Sequence, residues 1–256
     1  MEEFSFCIFD AQQQKYVALK SLPYAKSVQD YNDLNKGVAA IIAEEPLLQL
    51  PYKEVLCMYP NRCCTLVPSQ WAPPQLFKQQ LELNHVLSDL DEINVCPIPS
   101  IDAECLFAVP GPLSAKLFEK LGRVTYVHQS ALLVQNLMQW KDVCTSSALF
   151  AVNIGQDYAD IALCAQGQCK LYNTFTIRSA NDLVYFLMLI AQQYKIENGQ
   201  SSLLLSGNVD AYMPTLSQFF ADILHTKLSP EYYVDELHKC LHPRFDLLFS
   251  LVQCVS

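Results

Sequence analysis

The stretch Ala148–Cys164, "ALFAVNIGQDYADIALC", is the first place in this chain where residue types and spacing could support chemistry. An apolar strand-like run enters a glycine-containing turn and a second run leaves it. Such a turn lets backbone N–H groups approach a phosphate, because glycine adds no side chain and reaches φ > 0. Asp157 and Asp160 in the same stretch are candidates for paired carboxylates in acid–base work. Three apart across a turn into a strand, they read instead as solvated or turn-capping groups. Near the other end, "HKCLH" places His238, Cys240 and His242 at alternate positions, which on a strand would put three metal-ligating side chains on one face. Zinc normally takes a further ligand group at loop spacing, and Cys254, the nearby candidate, falls on an expected helix. The triplet therefore reads as coincidence in a cysteine-rich chain, and no metal is assigned. Walker, GxGxxG, HExxH and GxSxG patterns are absent, so the mechanisms those motifs serve lose their usual support.

The elements that would position these residues follow a plan used twice. In the first half, "FSFCIF" and "KYVALKSL" read as a hairpin around "DAQQQ". Ser27 and Asp30 then suggest a capped helix start, and Tyr31, Leu34, Val38, Ile41 and Ile42 repeat at helical spacing. "EVLCMY" follows as a strand, expected to pair across "PNR" with "CCTLVP". In the second half, "ALFAVNI", "YADIALC" and "CKLYNTFTI" read as three strands. Ser179 and Asp182 start a second helix lined by Leu183, Phe186, Leu187, Ile190 and Tyr194. "SLLLS" is the next strand and "VDAYMPTLSQFFADIL" the next expected helix. Hairpin, capped helix and strand thus recur in one order. Between the halves, alternating strands and helices predict α/β layers with a mixed sheet. The polar "KDVCTSS" between two apolar elements sets the boundary, giving a first domain at 1–142 and a second at 143–241.

The bulk numbers limit what the chain can do. With 256 residues, 51% of them hydrophobic, it can bury roughly 70–75% of its unfolded surface. A formal net charge of −9, from 17 basic and 26 acidic residues, gives no long-range attraction to nucleic acid or to an anionic membrane. The start "MEEFSFCIFD" lacks a basic region followed by an apolar one, and no apolar run approaches the ~18 residues that span a bilayer. The expectation is a cytoplasmic protein with no membrane insertion. The 11 cysteines include an adjacent pair, Cys63 and Cys64, and most lie in apolar runs. They read as reduced, small hydrophobes. The aromatic residues Phe219, Phe220, Tyr232 and Tyr233 have no interleaved basic patch for single-stranded nucleic acid, so they read as core or interface.

Several blocks, "FCIFDAQQQKYVALKS", "LELNHVL", "LYNTFTIRSANDLVYFL", "LLLSGNVD" and "LHPRFDLLFSLVQC", resemble a family of uncharacterised bacterial proteins known as a domain of unknown function. Its plan is similar to the actin-like ATPase fold of cell-division and type IV pilus proteins. The resemblance implies two ribonuclease-H-like domains with mixed sheets, and a last helix, 242–256, that packs back on the first domain. It also implies where nucleotide would sit. Active members of that fold carry Asp-x-Gly in the first hairpin of each domain, the aspartate holding Mg²⁺ through water.

Against that pattern, Asp10 stands where the aspartate should, but Gln12 replaces the glycine. In "NIGQD", Gly155 is present, but Asn153 replaces the aspartate, and a neutral amide is a poor partner for Mg²⁺. In "SGNVD", Gly207 stands alone where a glycine pair is usual, and the whole chain has 7 glycines. Asp10 and Gly155 then read as ordinary turn residues. The resulting expectation has no catalytic residue and no cofactor. It is a non-catalytic, protein-binding or scaffolding module with an unidentified protein partner. The alternative is a nucleotide-binding regulator or slow ATPase using the interdomain cleft, with ATP and Mg²⁺ held by Asp10, Asn153, Gly155, Asp157 and Gly207.

Overall fold

A computed structural model describes residues 3–24, 31–143, 146–197, 199–225 and 243–254 of the chain. Among these, one compact unit takes the chain up to Pro97 together with Ala103–His128. A second takes Ile98–Asp102 and the described residues from Gln129 onward.

The first unit opens with the expected hairpin, β1 (Glu3–Asp10) and β2 (Lys15–Pro23), paired antiparallel as a sheet of two strands. Helix α1 (Tyr31–Glu44) buries Leu34, Val38 and Ile42, a stripe four residues apart that covers one face. Its expected cap at Ser27 and Asp30 lies outside the described residues. Strand β3 (Val55–Met58) and strand β4 (Cys64–Pro68) follow, then a short helix α2 (Phe77–Glu82). Strands β5 (Asp91–Ile98) and β6 (Ala103–Pro110), helix α3 (Gly111–Leu121) and strand β7 (Val124–Val127) complete the unit.

The expected hairpin of β3 with β4 does not form. β3 pairs in parallel with β7, while β4 joins β6 and β5 in a separate three-stranded sheet. Between them Pro60 has no N–H to donate to a ladder, and Asn61 is drawn away by a 2.7 Å hydrogen bond from its Nδ2 to the Ala108 carbonyl.

The second unit begins with α4 (Gln129–Trp140), followed by β8 (Ala148–Ile154), β9 (Tyr158–Ala165) and β10 (Gln168–Thr176). Helix α5 (Ala180–Gln193), strand β11 (Ser201–Gly207), the one-turn helix α6 (Met213–Leu216), strand β12 (Ile223–His225) and helix α7 (Asp246–Ser250) follow. The sheet order is β10-β9-β8-β11-β12, antiparallel through β10-β9-β8 and parallel from β8 to β12. The α5 cap is present as expected: Ser179 Oγ accepts from the Asp182 N–H at 3.2 Å, and Asp182 Oδ2 accepts from the Ser179 N–H at 3.0 Å. The helix expected over "VDAYMPTLSQFFADIL" stops after one turn. Ile223–His225 instead adds a parallel strand that satisfies the open edge of β11.

The division between units falls between His128 and Gln129, earlier than the boundary expected at 142. Helix α4 is buried nearly all round, with Ala131–Val134, Leu137 and Met138 in the core, and it packs on β8, β9 and β10. A helix buried on nearly every side, polar residues included, sits inside a unit rather than at its margin. The terminal helix α7 likewise packs on α4 and β11 in the second unit, whereas the sequence reading sent it to the first. Asn136 Nδ2 donates to Ser250 Oγ at 3.0 Å and fastens α7 there.

Candidate functional site

Each of the three phosphate-loop positions suggested by the sequence has a definite local structure. At the β1–β2 turn, Asp10 Oδ1 accepts from the backbone N–H of Gln12 at 2.8 Å and of Gln13 at 3.0 Å. The carboxylate closes its own turn, as aspartate does when it substitutes for a backbone acceptor. Gln14 takes the left-handed position at φ 54°, so this turn is completed without a glycine.

At the β8–β9 turn, the Gly155 N–H donates to the Tyr158 carbonyl at 2.9 Å. The Tyr158 ring lies directly against the Gly155 Cα: a Cβ there would stand 2.5 Å from Tyr158 Cζ and 2.7 Å from Cδ1. Glycine is therefore required at 155 by the neighbouring ring. The phenol reaches Gln129 on α4, donating to its Oε1 at 3.4 Å. Asp157 is exposed, and its backbone carbonyl accepts from the Ile177 N–H at 3.0 Å, which ties the turn to the chain leaving β10.

At the end of β11, Gly207 has φ +85°, and a Cβ would lie 2.7 Å from the Ile154 backbone nitrogen. Here glycine permits both a left-handed backbone and close strand packing.

The structure gathers Asn153, Gly155, Asp157 and Gly207 at one end of the second unit's sheet, where Gly207 pairs with Ile154. Asp10 belongs to the other unit. His238, Cys240 and His242 lie outside the described residues.

A buried polar row, which the sequence reading did not find, runs beneath this end of the sheet. Ser206 is opposite Asn153, Asn153 opposite Asp160, and Asp160 opposite Thr174, so four adjacent strands present polar residues at one level. Ser206 Oγ donates to Asn153 Oδ1 at 3.3 Å, and Asn153 Nδ2 to Asp160 Oδ2 at 3.3 Å. Asp160 Oδ1 accepts from Thr174 Oγ1 at 2.6 Å and from Tyr172 Oη at 3.1 Å. Asp160 is fully buried, which corrects its reading as a solvated or turn-capping group. Both ends of the Asn153 amide are engaged inside the protein. The order Ser206–Asn153–Asp160 is that of a hydroxyl, a relay and a carboxylate, but an amide at the centre does not take up a proton from Ser206 as an imidazole would. Only register could have exposed it, since no two of its members are near in sequence except Asn153 and Asp160.

Among the described residues, no helix is long and apolar enough to cross a membrane. Several large apolar side chains of the first unit are exposed, including Trp71, Leu83, Val86 and Leu90. Of the aromatic residues expected in core or interface, Phe220 is buried and Phe219 exposed, while Tyr232 and Tyr233 lie outside the described residues.

The chain is similar to a Bacteroides thetaiotaomicron protein with actin-like ATPase fold and unknown function, with a TM-score of 0.76 and 19% identity over 88% of this chain and 87% of that one. It is also similar to a structure of the PilM–PilN type IV pilus biogenesis complex, with a TM-score of 0.63 and 11% identity over 100% of this chain and 96% of that one. The fold is thus the α/β actin-like ATPase fold. No curated protein matches the sequence. The profile of the protein family of unknown function DUF3822 spans residues 1–223, and the chain belongs to that family.

Proposed function

We propose that this protein is a non-catalytic member of the actin-like fold that works as a protein-binding or scaffolding module. The observation that carries this reading is the Tyr158 ring packed on Gly155 at the turn still bearing a glycine, whose N–H is already bonded to the Tyr158 carbonyl. Asp10 and Asn153 support it, because their polar atoms are used on their own turn and on neighbouring strands. A protein partner is the natural use of a fold that also occurs in the PilM–PilN complex. The exposed Trp71, Leu83, Val86 and Leu90 of the first unit are the kind of side chain such a contact would bury.

A second reading, a nucleotide-binding regulator or slow ATPase gripping ATP and Mg²⁺ through Asp10, Asn153, Gly155, Asp157 and Gly207, is favoured by the exposure of Asp157 at the second turn. Thermal unfolding of metal-free protein titrated with ATP, GTP and Mg²⁺ separates the two. Ligand at 100 times its Kd stabilises by about 2.7 kcal/mol, a shift of several degrees at ~2–4 °C per kcal/mol. The scaffold reading expects no shift up to millimolar nucleotide. A Mg²⁺-dependent shift would overturn it and favour the regulator.

A further inference from the structure

The geometry points to a zinc site in the first unit formed by Cys64 on β4, Cys105 on β6 and His128 just after β7. One ligand atom from each of the three lies within 4.8 Å of the others. The residues come from three separate stretches of sequence, and no spacing motif joins them.

Sheet register explains why the two thiols meet. Cys64 pairs with Phe107 and Leu66 with Cys105, so Cys64 and Cys105 are diagonal neighbours on one face, the face that alternation gives to residues 105 and 107. Diagonal neighbours stand roughly 7–8 Å apart across a sheet, beyond the usual ~4.4–6.8 Å between the Cα atoms of a disulfide. An ion placed between the sulfurs suits that separation better than a bond. Zinc, at ~2.3 Å from sulfur and ~2.0–2.1 Å from nitrogen, needs its ligand atoms roughly 3.5–4 Å apart. Small side-chain rotations would bring these three donors to that spacing.

His128 is fully buried and its ring packs on Phe107 with 5.2 Å between centroids. Nε2 lies 3.1 Å from the Asn61 carbonyl oxygen and 3.2 Å from Asn61 Oδ1. A backbone carbonyl only accepts, so in the neutral ring Nε2 carries the proton and Nδ1 holds the lone pair. A ring N–H held by a backbone carbonyl is the usual support behind a metal-bound histidine. Asn61 is itself fixed, through Nδ2 to the Ala108 carbonyl at 2.7 Å and through Oδ1 from the Cys63 N–H at 3.0 Å. Two thiolates and an imidazole are too soft a set for Mg²⁺ or Ca²⁺ and suit Zn²⁺. Cys64, the partly exposed member of the three, leaves the fourth position to water on the solvent side. Binding would release the thiol protons.

None of these residues belongs to the phosphate-loop positions, so the site and the scaffold reading stand or fall separately. The test is titration of the metal-stripped full-length chain with Co²⁺ and then Zn²⁺. One equivalent of Co²⁺ should produce thiolate charge-transfer absorption and tetrahedral d–d bands, and Zn²⁺ should bleach both. Cys64→Ser, at the partly exposed position, should keep the wild-type circular dichroism and weaken metal affinity by at least about tenfold. Cys63→Ser is the control, because Cys63 packs against the separate Val67, Leu81 and Leu106 cluster, and it should bind like the wild type. Absence of the bands in the wild type, or equal binding by Cys64→Ser and wild type, would overturn the proposal. Zn²⁺ protection of Cys64 and Cys105 from alkylation, read by mass spectrometry, would support it independently of the buried His128.

Discussion

The two hairpin turns at Asp10 and Gly155 both join antiparallel strands but close in opposite ways. The first has a carboxylate and no glycine, and it spends both accepted hydrogen bonds on the backbone of Gln12 and Gln13. The second has a glycine and no carboxylate, and it fills the glycine's space with the Tyr158 ring. The first is a local device that any short peptide could form. The second depends on a whole sheet, because Tyr158 also reaches α4 and the buried row of Ser206, Asn153, Asp160 and Thr174 runs beneath the turn. Mutations should therefore cost little at the first turn and much around the second.

The largest effect is expected in the polar row. Asp160→Ala removes the buried carboxylate that accepts from Asn153, Thr174 and Tyr172, for a loss of at least about 3 kcal/mol at ~1–3 kcal/mol for each donor that loses it. Urea unfolding checks this, and a loss below 1 kcal/mol would mean that the row is not closed to water. Gly207→Ala meets both a left-handed backbone and the Ile154 main chain, so about 2–4 kcal/mol should be lost. Gly155→Ala should cost about 1–3 kcal/mol by overpacking. Its comparison with Tyr158→Ala is sharper: in the double variant most of the Gly155→Ala loss should vanish, giving a coupling of at least ~1 kcal/mol in a double-mutant cycle. Additive losses would mean that Gly155 answers to something other than the ring. Asp10→Ala, which removes a turn cap near solvent, should lose only about 0.5–1.5 kcal/mol. A loss there as large as at Asp160 would erase the contrast between the turns.

The smallest effect concerns acid. At the start of α5, the Arg178 N–H, foremost among several donors that include the Ser179 hydroxyl and N–H, holds the Asp182 carboxyl below the usual aspartate range. A depressed folded value means that this stabilisation is complete above the ordinary aspartate range and fades as pH falls through the lower, folded value. Asp182→Asn should therefore flatten the acid limb of a stability–pH curve by lowering the neutral plateau slightly, while in strong acid the variant and the wild type converge. An unaltered limb would place the acid sensitivity elsewhere.

Much of the second unit was legible as sequence. Ala148–Ile154 and Tyr158–Ala165 are continuous apolar runs bounded by turn residues, and Ser179 with Asp182 marks a helix start by local chemistry alone. The first unit was less legible in its pairings. Val55–Met58 is a strand as expected, but its partner is β7, some seventy residues on, and a parallel pairing carries no turn signal. The short fate of the helix after Gly207 escaped for a related reason. Apolar residues in "FFADIL" fit either a helix or a strand, and the open edge of β11 decided between them.

Local interactions were therefore settled by the order of amino acids: the hairpin turns, the α5 cap, the departures from Asp-x-Gly at Gln12 and Asn153, and the family to which the chain belongs. Those depend on neighbours within a few residues, where composition and spacing act directly. Which side chain lies over Gly155, how deeply Asp160 is buried, and that Cys64, Cys105 and His128 converge depend on strand register and packing. A shift of one residue in any of those ladders would send the side chains to the opposite face, so only the assembled sheets could decide them.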